Sequence, residues 1–165
     1  MVSLLRKYSL WVLFIIAAPC FADDPQGFTA PDGFSEYRSE TVDNQRFEGN
    51  EEYLCVSSKK RCDSKTQGFD DDGRLIAEGK IELAVYYKPG NNSELGVSLQ
   101  KFYEKTIARM GGRLIANMAG QDEGHGKMKR VYFLEKAGVK KWVHVDTFSD
   151  KSQAWLSVIT ASDGS

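Results

Sequence analysis

The sequence predicts an α+β domain, an antiparallel-rich sheet with one amphipathic helix packed on a face as a two-layer sandwich. Three observations lead there. Alternating residues before Pro89-Gly90 read as a strand, apolar residues spaced by three and four from Leu95 to Met110 read as a helix, and further alternating runs follow up to residue 160. The resulting order is strand, helix, strand, strand, strand, strand. A lone helix with one apolar stripe has only the sheet to cover it.

The first 22 residues, MVSLLRKYSLWVLFIIAAPCFA, place Arg6 and Lys7 ahead of an apolar run over 10–18 and then small residues, the pattern of an export signal. The run is shorter than the roughly 20 apolar residues of a membrane span, and Pro19 ends it, so cleavage after Ala22 and no stable membrane span are expected. Lipidation of Cys20 is the rival reading. Pro19 just before the cysteine argues against it, because lipoprotein signals carry a small residue there. The expected compartment is the periplasm.

Residues 23–36 (DDPQGFTAPDGFSE) read as an extended leader whose Phe28 and Phe34 are its candidates for docking. Residues 37–165 are expected to form a single domain. Apolar residues are sparse from 37 to 62 (Val42, Phe47, Tyr53, Val56), which suggests short strands and turns. Losing Cys20 leaves one even pair, Cys55 and Cys62, and the polar turn between them suits a disulfide hairpin in an oxidising compartment. Residues 63–73 are a polar loop. In the strand that follows, Ile81, Leu83, Val85 and Tyr87 alternate with Lys80, Glu82, Ala84 and Tyr86, the pattern of half burial.

Asn91, Asn92 and Ser93 supply a helix cap, and a helix of about 17 residues runs on to Gly111-Gly112, which suits a helix stop. A strand-like stretch 113–118 precedes a charged, glycine-rich loop, 119–127. Three strands close the chain at 128–134, 139–148 and 153–160, joined by hairpin turns at 135–138 and 149–152. Along the middle one, Val143, Val145 and Thr147 should face opposite to Trp142, His144, Asp146 and Phe148.

Composition excludes some functions. The chain has 22 basic residues, of which Arg6 and Lys7 leave with the signal, and 23 acidic ones, so the mature net charge is −3 and nothing asks for nucleic acid. No repeats or low-complexity tracts occur.

Chemistry is thin. The only histidines are His125, in the 119–127 loop beside Asp122 and Glu123, and His144 in a strand. The run Asp70–Asp72 lacks the spacing and the glutamate of a calcium loop, and two cysteines make at most half a zinc site. No G-x-S-x-G is present, the glycines of GQDEGHG lack a phosphate-cradling context, and the disulfide leaves no catalytic thiol. No cofactor, metal or catalytic residue is expected. Aromatics on strands would form an exposed patch on a sheet face that has no helix, so Trp142, His144, Trp155 and Tyr132, with His125, are the candidate interaction surface.

The stretches YYKPGNNSELGVSLQKFYEKTIARMGGRLI and KKWVHVDTFSDKSQAWLSVI resemble an uncharacterised module of exported bacterial envelope proteins, sometimes found ahead of the OmpA-like peptidoglycan-binding domain. The likeness spans about residues 80 to 160 and lies in the order of strand, Pro-Gly turn, helix, Gly-Gly stop and strand pairs. Here the Cys55/Cys62 pair is added, and no peptidoglycan-binding domain follows before Ser165. The resemblance implies an envelope location and an α+β fold, and carries over no functional residue. The expectation is therefore a non-catalytic periplasmic binding or accessory protein that contacts an envelope protein through its sheet face or the 119–127 loop. One alternative is a carrier of lipid or small ligand, with an apolar pocket between helix and sheet. The other is an envelope hydrolase using His125 with Asp122 or Glu123.

Overall fold

The computed structural model describes residues 28, 30, 31, 34–49, 51–88, 95–118, 127–148 and 153–161. The expected export signal with Cys20, the expected helix cap, most of the 119–127 stretch with His125, and the expected turn at 149–152 lie outside the described residues. The elements are β1 (Ser35–Glu48), β2 (Tyr53–Cys55), β3 (Ile76–Tyr87), α1 (Leu95–Arg109), β4 (Arg113–Met118), β5 (Lys127–Lys136), β6 (Val139–Phe148) and β7 (Gln153–Ala161). All seven strands form one antiparallel sheet in the order β1-β3-β7-β6-β5-β4-β2. The expected succession of strand, helix and four strands is β3 to β7.

The helix sits where its stripe requires. Leu99, Tyr103 and Ile107, four residues apart, are fully buried against the sheet, mainly over β5 and β6. Its one buried amide, Gln100, donates through Nε2 to Met128 O at 2.9 Å and Val145 O at 3.2 Å, which fixes the helix's position along those strands. From the sheet, Tyr86, Tyr132, Val143, Val145 and Leu156 complete this core. Phe28 of the leader is buried in it, and Tyr86 Oη donates to Phe28 O at 3.2 Å.

Two expectations change. Residues 35–48 are one 14-residue strand, not a set of short ones. β1 is an edge strand whose side chains are largely exposed, so the ladder to β3 holds it rather than burial, and apolar periodicity has nothing to report. Register shifts between Glu36 and Arg38 and between Val42 and Gln45 interrupt its pairing, a common way to blunt an exposed edge. The second change is in β3, which is buried on both faces from Ala84 to Tyr86 rather than on one.

Burial on both faces follows from a length mismatch. β1 and β2 lie at opposite edges of the sheet, yet only residues 49–52 separate them in sequence. A flat seven-stranded sheet is about 29 Å wide from first strand to last, whereas five residue steps reach at most about 18 Å. The sheet therefore curls, away from the helix, until the short link can cross its mouth. Residues 56–75, which follow β2, fill that mouth as a third layer. Gly49 N donates to Leu75 O at 2.8 Å, Tyr53 N to Gly73 O at 2.8 Å, and Cys62 N to Tyr53 O at 2.9 Å.

The Cys55–Cys62 disulfide closes a tight hairpin within this layer, with Cys55 N donating to Lys60 O. The layer buries Phe69 and Leu75 against Ile81, Phe133, Trp142 and Ile159 of the sheet. It packs closely at Gly68, where φ is +89° and a side chain would put its Cβ 2.3 Å from Trp142 Nε1. The acidic run closes on itself, since Asp70 Oδ1 accepts from Asp72 N and Arg74 N at 3.0 and 2.8 Å. A hydrogen bond from the Ser64 hydroxyl holds the Asp71 carboxyl below its ordinary pKa.

Two stability measurements check this architecture. Cys55→Ser with Cys62→Ser should lower the unfolding free energy in urea by about 2–3 kcal/mol, the chain-entropy value for so short a loop. The β5–β6 turn is the two-residue loop Ala137-Gly138, both at positive φ (52° and 80°), a conformation that costs alanine but suits asparagine. Ala137→Asn should accordingly raise the urea midpoint, by about 0.5–1 kcal/mol in free energy.

Candidate functional site

Strand register lays three cross-strand rows over the curled face. The first is Val85, Trp155, Asp146 and Lys129, the second Leu83, Ser157, His144 and Val131, and the third Ile81, Ile159, Trp142 and Phe133. The third row lies under the disulfide layer, where Trp142 Nε1 donates to Gln67 O at 3.1 Å. Over the second row, Tyr53 Oη and His144 Nε2 are hydrogen-bonded at 2.8 Å, and the Phe47 ring lies 5.7 Å from the imidazole. Over the first row a half-open cleft of about 560 Å³ remains. Phe47, Leu83, Val85 and Trp155 give it apolar walls, and Glu51, Lys129, Asp146, His144 and Ser157 give it a polar end.

Lys129 organises that end. Its ammonium donates to Asp146 Oδ2 at 3.0 Å and to Glu51 Oε1. Burial alone would lower its pKa, but the hydrogen bonds and negative charge of Glu51 and Asp146 outweigh burial and hold it above the ordinary lysine value. His144 goes the other way. Burial first, then the Lys129 charge, push its pKa from 6.5 down to about 4, so the imidazole is neutral near pH 7. Burial, reinforced by Glu51 and Asp146, raises the Tyr53 phenol, which stays protonated.

Ser157, His144 and Asp146 share this face, yet their bonding is not that of a nucleophile, base and acid in series. His144 commits Nε2 to Tyr53, and Asp146 turns Oδ2 to Lys129. What the arrangement offers is recognition, because an apolar slot ends in a few fixed charges and dipoles.

Of the expected surface residues, His144 and Trp155 line the cleft, and Trp155 is 49% exposed. Trp142 lies on the same face but is buried under residues 67–68, because the third layer takes the place that bare sheet was expected to occupy. Tyr132 points to the opposite face and is buried beneath the helix. His125, Asp122 and Glu123 lie outside the described residues. The helix–sheet interface is occupied by packed side chains, and the cleft of about 560 Å³ is on the other face.

Sequence reasoning missed Lys129, Glu51, Tyr53 and Ser157. Lys129 and Ser157 carried a signal, as polar residues that share a strand face with Val131 and Phe133 and with Trp155 and Ile159, respectively. Glu51 and Tyr53 carried none, because they reach the cleft only through the crossing of the link.

The buried charges set two expectations. The folded pKa of His144 lies below its unfolded value, so its contribution to stability is complete above pH 6.5 and is lost as pH falls through that value toward 4. That loss should amount to about 3 kcal/mol. Urea unfolding between pH 7 and pH 4 should show it, and His144→Gln should flatten the dependence by about that amount; equal slopes would contradict the assignment. Lys129→Met leaves two carboxylates beside each other without their ammonium, and should cost about 3 kcal/mol. Adding Glu51→Gln and Asp146→Asn should recover most of it.

No protein-family model, curated protein or solved structure matches the chain. The cleft is therefore read from its own geometry.

Proposed function

We propose that the protein is an exported, non-catalytic accessory module of the bacterial cell envelope that docks a partner protein at the cleft on its curled face. Export rests on the signal-like first 22 residues, and the Cys55–Cys62 disulfide is compatible with an oxidising compartment. The envelope module that the sequence resembles supports the same address. The observation that carries docking is Trp155, an indole about half exposed at the cleft and the most exposed of the large hydrophobic side chains among the described residues. Around it the geometry favours contact over turnover, since Lys129 is bonded to Glu51 and Asp146, and His144 to Tyr53.

A second reading, a carrier of a small apolar ligand, draws on the cleft's volume, which lies in the range of small-molecule sites. Native mass spectrometry of the mature protein separates the two by the presence or absence of a copurified ligand. Docking is tested by a photo-crosslinking residue at position 155 in living cells, with position 139, exposed in the β5–β6 hairpin, as control. One envelope protein should crosslink from 155 and not from 139. The same adducts from both positions, or none from 155, would overturn the proposal.

A further inference from the structure

We propose that a second cavity, beside the disulfide hairpin, binds the phosphate group of a ligand whose apolar part rests against the cavity wall. The cavity, of about 440 Å³, lies between residues 55–67 and β4, and it shares no lining residue with the cleft around Trp155.

Its charge is one-sided. Lys65 and Arg113 line it from separate segments, and no carboxylate is among the described residues that do so. The hairpin wall extends the same sign, since residues 56–67 hold Lys59, Lys60, Arg61 and Lys65 against Asp63 alone. Asp63 Oδ1 accepts from Lys65 N at 3.0 Å, and Asp71, whose carboxyl feels the Lys65 charge, takes the Ser64 hydroxyl at 2.6 Å; neither lines the cavity. In a chain whose net charge is −1, positive charge is thus concentrated locally.

The geometry suits an oxyanion. Arg113 lies over the Phe133 ring, 5.9 Å from its centroid, and a stacked guanidinium keeps its in-plane N–H groups for hydrogen bonding. The walls are fixed before any ligand arrives: Val56 N donates to Ile115 O at 2.9 Å, the Thr66 hydroxyl donates to Cys55 Sγ at 3.3 Å, and the disulfide holds the hairpin. A dianionic phosphate answers Lys65 and Arg113 together. A cationic ligand would be repelled, and a purely apolar one would strip water from both cations and return nothing. Val56, Ile115 and Phe133 supply the apolar ground for the rest of the ligand.

The test follows the backbone amide shifts of Thr66 and Ile115 by NMR in the full mature chain, with phenyl phosphate, inorganic phosphate and phenol as probes. Phenyl phosphate should bind about tenfold tighter than either fragment, and more weakly as salt rises. Lys65 and Arg113 are exposed side chains, so Lys65→Gln and Arg113→Gln should leave the chain folded, and each should weaken phenyl phosphate about fivefold. Lys101→Gln, at an exposed position of α1, should leave the affinity unchanged. Sedimentation with phosphatidylglycerol vesicles that the double variant loses would place the phosphate on a lipid headgroup, and phenyl phosphate binding without sedimentation would place it on a soluble molecule; either supports the site. Phenyl phosphate binding no tighter than one of its fragments, or binding that both substitutions leave unchanged, would overturn it.

Discussion

The link between Glu48 and Tyr53 is the constraint on which the rest of the structure depends. It joins strands at opposite edges of a seven-stranded sheet with four residues. The chain can satisfy it only by curling the sheet, and the curl makes one face concave. The residues delivered to that concave side then have no choice of neighbour. Glu51 meets Lys129, and Tyr53 meets His144. The disulfide hairpin follows directly on the link and covers the third row, and the cleft lined by Trp155 stays open over the first.

The two faces solve the burial problem differently. Under the helix, apolar and aromatic side chains fill the space, with Gln100 bonded to strand carbonyls. Such packing gives stability and a fixed register, and offers little to a ligand. On the concave face the sheet carries a lysine, a histidine and an aspartate at positions that an ordinary core would give to apolar residues. Polar groups there are costly unless bonded, and here the bonding comes from the link. Fold stability and the shape of the cleft are thereby coupled, since the contacts that neutralise the floor also hold the wall.

Legibility in the sequence followed locality. The helix and the strands after it were readable because each announces itself in its own apolar spacing, from Leu99, Tyr103 and Ile107 in the helix to Val143 and Val145 in β6. The disulfide was readable from arithmetic on three cysteines. β1 was not, because an exposed edge strand is held by backbone hydrogen bonds that leave no hydrophobic trace. The third layer was not either, since loops with turns and one disulfide bury Phe69 and Leu75 without periodicity. For the site, His144 and Trp155 were singled out as polar or aromatic strand residues, whereas the pairing of Glu51 with Lys129 spans 78 residues of sequence and exists only once the sheet has closed. Trp142 and Tyr132 show the converse, aromatics of similar sequence pattern that the fold removes from the surface.

The most direct test of this account is to lengthen the link by four glycine and serine residues after Gly49 and to titrate His144 by NMR. If the short link drives the curl, the longer one lets Tyr53 and Glu51 withdraw. The His144 pKa should then rise from about 4 toward 6.5, while the helix-face core resonances stay in place. A His144 that still titrates near 4 in the lengthened chain would contradict the account.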